Sequence, residues 1–185
     1  MGEKWIALTC HPSTRSDVVR SIQVLARRPA AVELRLTYRL DGDIARIIVP
    51  PPCASRIGVE LWRHTCFEAF VSLQGRAAYH ELNFAPSGEW TVYAMRSYRD
   101  GATLEDESMR PEIGACSSDG RLELDVLVRL DRLSAAHAAE SLRVGLFAVI
   151  QANDGFSYWA LHHRGPKPDF HDAAGFALVI EPPDE

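Results

Sequence analysis

The sequence predicts an all-β chain, a two-sheet antiparallel β-sandwich of about ten strands folded as a single domain over residues 1–185. Three observations predict it. Apolar and polar residues alternate in several segments, as in strands with one face in a core. Turn residues punctuate the chain at short, regular intervals. Only Leu133 to Glu140 suits a helix, so the apolar strand faces must bury each other, and two sheets packed face to face is the simplest way.

Each element follows from its residues. Trp5 to Cys10 reads as a first strand. Ile22 to Ala26 suits a strand, although Val18, Val19, Ile22 and Leu25 also fit an amphipathic helix; Arg28-Pro29-Ala30 would make the hairpin turn. Val32, Leu34, Leu36, Tyr38 and Leu40 alternate with polar residues and stop at the turn Asp41-Gly42-Asp43. Ile44 to Val49 reads as a strand ending at Pro50-Pro51-Pro52, which no strand interior tolerates. Two central strands follow, around Cys66 to Leu73 and Tyr79 to Phe84. Pro86-Ser87-Gly88-Glu89 turns the chain into a strand from Trp90 to Met95, closed by Tyr98-Arg99-Asp100-Gly101. Residues 100–110 are polar and read as a loop. Leu122 to Leu130 alternates again, and Leu142 to Gln151 is apolar enough for a strand covered on both faces. Asp154-Gly155 turns into Ser157 to Leu161, a loop spans His162 to Ala174, and Phe176 to Ile180 closes the chain.

Composition excludes several classes. At 185 residues the chain can bury a proper core. A net charge of −5, with no basic run longer than Arg27-Arg28, argues against a nucleic-acid partner. No run approaches membrane-spanning length and the N-terminus lacks a signal peptide's apolar core, so a cytoplasmic protein without a membrane partner is expected. Cys10, Cys53, Cys66 and Cys116 form no Cys-x-x-Cys pair, so zinc-knuckle and dithiol readings lack support.

The candidate site lies on the two central strands. Strand periodicity puts Phe67, Ala69, Val71 and Leu73 on one face and Cys66, Glu68, Phe70 and Ser72 on the other. In the next strand His80, Leu82 and Phe84 share one face, and Tyr79, Glu81 and Asn83 take the opposite one. Carboxylates and an amide thus gather away from the core, and Trp62, Arg63 and Arg99 flank them in sequence. Such groups suit a sugar: aromatic rings stack on a pyranose face while carboxylate, amide and guanidinium groups bond its hydroxyls. Plainer roles also fit. Trp62 and Trp90 could cover the sandwich ends, Glu68 could form a structural ion pair with Arg63 or Arg99, and Glu81 and Asn83 could cap loops.

The run Leu61 to Phe70, the run Tyr79 to Trp90, the pair Tyr98-Arg99, and Ser157 to His162 followed by Pro168-Asp169-Phe170-His171 together resemble the bacterial DOMON-like domain proteins. That group is similar to the family 9 carbohydrate-binding modules. The resemblance spans about Cys10 to Phe176 and implies a β-sandwich with a ligand cleft on one sheet. In the sugar-binding relatives two tryptophans clasp the sugar, while a carboxylate, an amide and an arginine bond its hydroxyls. The family's Trp-to-Glu spacing matches Trp62 and Glu68. Its Asn-x-x-Trp resembles Asn153-Asp154-Gly155-Phe156, with Phe in place of the second Trp, and Arg63 and Arg99 are candidates for its arginine. Residue pattern and resemblance taken together, the expected ligand-binding set is Trp62, Arg63, Glu68, Glu81, Asn83 and Arg99, with Gln151, Asn153 and Trp159 from the later strands, holding a small sugar-like molecule without catalysis. No cofactor is expected. The heme-binding relatives use a Met and a His, and the internal methionines Met95 and Met109 show no distinctive spacing to a His; calcium in a loop stays open, as does the oligomeric state.

Enzyme readings are thinner. There is no Gly-x-Ser-x-Gly, phosphate loop or His-Glu-x-x-His. Glu68 and Glu81 could be a glycosidase carboxylate pair if one has a raised pKa and a cleft opens between them. Cys66 with His64 or His80 is a poorer nucleophile pair, because a packed strand interior hinders attack. His162, His163 and His171 bracket a loop with Asp169; adjacent strand residues point to opposite faces, so Asp169 fixing a His in loop packing is preferred to a metal site. A protein-interaction module is the third reading, and would show a broad apolar patch in place of a groove.

Overall fold

A computed structural model describes residues 4–183. Thirteen strands appear: β1 (Ile6–Cys10), β2 (Val19–Ala30), β3 (Glu33–Gly42), β4 (Arg56–Ile57), β5 (Cys66–Leu73), β6 (Tyr79–Phe84), β7 (Glu89–Ser97), β8 (Asp100–Thr103), β9 (Glu112–Ser118), β10 (Arg121–Arg129), β11 (Leu142–Ala152), β12 (Gly155–Ala160) and β13 (Leu178–Ile180). Two short helices, α1 (Leu130–Leu133) and α2 (Ala135–Ala139), join β10 to β11. The strands hydrogen-bond in the order β4-β7-β6-β5-β11-β12-β1-β2-β3-β10-β9, with β8 on β7 and β13 on β11. β1 is the join between two packed halves. Its Ile6 to Leu8 pair with β2, and its Thr9 and Cys10 pair with β12. One curled sheet thereby folds over itself as a sandwich.

The core forms where alternation aims apolar side chains inward. Ile22, Val24, Leu34, Leu36, Tyr38, Leu40, Leu122 and Leu124 come from the first half. Phe67, Ala69, Val71, Leu82, Phe84, Trp90, Val92, Leu146, Ala148 and Ile150 meet them from the second. Tyr38 is fully buried, and its hydroxyl crosses the sandwich to donate to the Glu68 carbonyl at 2.8 Å. β11 is buried on both faces, as its continuous apolar run predicts: a second cluster of Phe70, Tyr79, Phe147, Val149, Phe170 and Phe176 covers its outer side.

Several expectations are corrected. Ile44 to Val49 is no strand. Ile44–Arg46 form a 3-10 turn and Ile47 makes one isolated bridge to Ala152, because the chain here crosses from one half to the other. Arg28-Pro29-Ala30 is no turn but the end of β2, where a register irregularity between Arg27 and Ala30 lets proline sit in a strand. Arg28 then turns inward and its guanidinium donates to the carbonyls of Ala31, His137, Ala138 and Glu140. The polar stretch 100–110 contains β8, and β9 is an edge strand without alternation. The expected helix Leu133 to Glu140 divides at Ser134, whose side chain caps α2. One strand pair, β4 with β7, is parallel, against a wholly antiparallel expectation. Among the described residues no helix is long and apolar enough to cross a membrane.

Candidate functional site

Register builds the site. Glu68 pairs with Asn83 and Phe70 pairs with Glu81, so Glu68 and Glu81 are diagonal neighbours on the outer face of β5 and β6. A cavity of about 410 Å³ opens above them. Its floor is Glu68, Phe70, Glu81 and Val149, and Tyr93, Met95 and Tyr158 from flanking strands continue it. Walls come from outside the sheet. Trp62 stands on the 3-10 turn Leu61–Arg63, while Pro168, Phe170 and His171 come from the loop before β13.

Two residues beside the cavity adopt left-handed backbone without being glycine: Glu60, which starts the Trp62 turn (φ 51°), and Arg99 (φ 54°). Each conformation costs about 1–3 kcal/mol and persists only where surroundings enforce it. Both place cavity residues.

The carboxyls are unlike each other. Glu81 is 6 % exposed; its Oε1 accepts from Asn83 Nδ2 at 2.9 Å, and its Oε2 lies 3.8 Å from His171 Nε2. Burial raises its pKa, which the Asn83 hydrogen bond and the Arg99 charge offset in part. Glu68 is 2 % exposed and its Oε1 has no hydrogen-bond partner. Burial, then the neighbouring Glu81 charge, hold it well above the carboxylate range. A buried carboxyl oxygen without a partner is costly when ionised, so the cavity floor favours the neutral acid form of Glu68. Burial, then the Arg99 charge, push His171 down to about 4. The ring is therefore neutral, and its contact with Glu81 is no ion pair.

The loop wall is pinned by one carboxylate. Tyr98 Oη donates to Asp169 Oδ2 at 2.7 Å, Arg99 Nη2 donates to Oδ1 at 2.9 Å, and the His171 backbone N–H donates to Oδ1 at 3.1 Å. Burial pulls Asp169 upward, but the Tyr98 and Arg99 hydrogen bonds win and hold it below its ordinary value. His171 Nδ1 also meets Tyr79 Oη at 2.7 Å.

The structure brings Trp62, Glu68, Glu81 and Arg99 together around the cavity, with Asn83 wholly buried between the carboxyls. Arg63 points elsewhere, pairs with Glu60 at 3.2 Å and covers the Trp62 ring. Gln151 meets His64 at 3.2 Å, and Asn153 accepts from Arg46 at 3.1 Å, both outside the cavity lining. Trp159 turns into the core, where its indole donates to Ser157 Oγ; its neighbour Tyr158 faces the cavity instead. Sequence reasoning left Phe70, Tyr93, Tyr158 and Phe170 out of the site and read His171 as a loop residue beside Asp169, not as part of the cavity. Strand parity with Glu68 or Glu81 could have found Phe70; the loop residues carry no periodic signal.

Other chemistry fits poorly. Burial drives the Cys66 thiol well up, and it donates to Asn83 Oδ1. His64 engages Gln151 and His80 lies against His137, so neither imidazole activates it. His163 faces the Thr9 carbonyl. Among the described residues no group of three or more His, Cys, Asp or Glu side chains could hold a metal.

No protein-family model matches the sequence, and no curated protein matches it. Among solved structures, a proposed carbohydrate-binding protein from Bacteroides uniformis is similar in fold, with a TM-score of 0.69 at 14% identity, covering 94% of this chain and 84% of that one. A family 9 carbohydrate-binding module from Caldicellulosiruptor kristjanssonii, solved with cellotriose, aligns with a TM-score of 0.51 at 7% identity, covering 86% of this chain and 72% of that one. The chain therefore shares the β-sandwich fold of these two structures.

Proposed function

We propose that the chain binds a small polar ligand, a carbohydrate or sugar-containing metabolite, in the cavity over Glu68 and Glu81, without converting it. The observation that carries this reading is the unpartnered Glu68 Oε1 at the floor of an aromatic-walled cavity. A neutral carboxylic acid can donate to and accept from a hydroxyl. The rings of Trp62, Tyr93, Tyr158 and Phe170 supply surface for an apolar sugar face. Both structural neighbours are described as carbohydrate-binding, which favours a sugar over other polar ligands. A cytoplasmic setting belongs to the same proposal and favours a metabolite such as a nucleotide sugar. A thermal-shift screen of wild type and Glu68→Ala against mono- and disaccharides and nucleotide sugars tests it. A ligand at a hundred times its Kd should stabilise wild type by about 3 kcal/mol. The same shift in both proteins would place the ligand elsewhere.

A carboxylate-pair glycosidase is the second reading, favoured by the raised pKa values of both carboxyls beside an open cavity. Release of nitrophenol from aryl glycosides, lost in Glu68→Gln and in Glu81→Gln, would establish it. Binding without turnover would exclude it for the sugars tried.

A further inference from the structure

We propose that the Glu68–Glu81 cavity selects a ligand bearing a primary ammonium group, an amino sugar within the sugar class, and that this ligand enters by displacing a proton from the carboxyl pair. The inference rests on the function proposed above and narrows it.

The geometry is a charge problem: two buried carboxyls share a cavity whose lining cation, Arg99, is bonded to Asp169 rather than to either of them. Two carboxyls sit diagonally on one sheet face, 2 % and 6 % exposed, and one oxygen of Glu68 has no partner. The nearby cation is already engaged: Arg99 is held by Asp169 and by the Tyr98 hydroxyl. His171 is neutral and turned to Tyr79 through Nδ1.

The other titratable groups beside the pair, phenols and a thiol, supply no positive charge. Tyr38 from β3, Cys66 from β5 itself and Tyr158 from β12 feel the Glu68 charge; burial first, and that charge second, raise all three. Tyr79 and Tyr93 lie beside Glu81 and are raised as well. Two buried carboxyls placed diagonally, one with an unpartnered oxygen, favour holding a proton between them over two adjacent negative charges. A neutral sugar hydroxyl can meet that protonated carboxyl and leaves the proton in place.

An ammonium group changes the balance. It brings one positive charge and three N–H donors, enough to satisfy both carboxylates, and charge-assisted bonds of this kind are the stronger ones. The aromatic faces of Trp62, Tyr93 and Tyr158 complement a cation further. The exchange balances: the Glu68 O–H bond breaks, its proton passes to buffer, and the ammonium ion replaces the proton's charge in the site.

Calorimetric titration of wild type at neutral pH with glucosamine, glucose and N-acetylglucosamine, in two buffers of different ionisation enthalpy, tests the inference. Glucosamine is expected to bind about tenfold or more tighter than the two uncharged sugars. Its heat should vary with buffer as one proton is released, and the heats of the uncharged sugars should not. Glu68→Gln, checked for its fold by circular dichroism, should bind glucosamine no better than glucose and release no proton. The acetylated sugar tests the same point on wild type alone. Similar affinities with buffer-independent heats would overturn the ammonium inference and leave the sugar reading standing. Binding of cellobiose but of none of the three would do the same. No heat with any sugar would overturn both.

Discussion

Glu68 and Glu81 stand diagonally across β5 and β6 on the face turned away from the core, and only Glu81 has a hydrogen-bond donor, Asn83. That asymmetry sets the chemistry of the cavity. Glu81 can carry charge with local support, whereas Glu68 keeps its proton until something enters.

A pH dependence follows. The folded pKa of Glu68 lies well above its ordinary value of 4.5. Its contribution to stability is therefore complete below that ordinary value and is lost as pH rises through the folded one. His80 and His171, both near 4, act in the opposite sense below their ordinary 6.5, but they are common to wild type and a Glu68 variant. Ligand-free Glu68→Gln should gain melting temperature relative to wild type as pH is raised from about 5 to about 8. Thermal melts across that range check it, and parallel curves would refute a neutral Glu68.

Tyr38 joins the two halves of the sandwich directly beneath the site. Tyr38→Phe removes the hydroxyl that donates to the Glu68 carbonyl and leaves the ring packed against Phe67. It should cost about 1 kcal/mol in urea unfolding.

Arg28 ties the connection between β10 and β11 to the β2–β3 turn, donating to the carbonyls of His137, Ala138 and Glu140 on one side and of Ala31 on the other. Lysine carries the charge but lacks the planar fork, so Arg28→Lys should destabilise by about 2 kcal/mol. Equal unfolding midpoints for the two proteins would count against this role.

Gly145 makes room for the aromatic cluster under the loop wall. A Cβ there would stand 2.6 Å from two Phe147 ring atoms and 2.9 Å from Phe176. Gly145→Ala should cost about 1–3 kcal/mol through overpacking. It should also speed proteolysis within 162–176, the segment those rings anchor, which limited digestion would report.

The fold was legible wherever one strand face meets water and the other meets the core. Val32 to Leu40 and Leu122 to Leu130 alternate for that reason, and strands cover Glu33 to Leu40 and Leu122 to Arg129 of them. β9 was not legible, because an edge strand exposed on both faces has no apolar side to alternate. Ile44 to Val49 misled because β-branched residues suit a strand only when a partner strand is present, and here the chain is crossing between halves. Parity placed Glu68, Glu81 and Asn83 on one face before any register was known. It could not choose between Tyr158 and Trp159, since both are aromatic and only pairing with β11 decides which turns inward. Phe170 and His171 reach the cavity through a loop that Asp169 ties to Tyr98 and Arg99, partners 71 and 70 residues earlier in the chain that no local pattern announces.

The central claim is that the cavity over Glu68 receives a small sugar-like ligand. Its most direct test is a calorimetric titration of wild type, Trp62→Ala and Glu68→Ala with the best ligand from the thermal screen. Saturable one-site binding in wild type, weakened about tenfold or more in both variants, is the predicted result. Equal affinity in all three proteins, with each variant folded, would contradict the account.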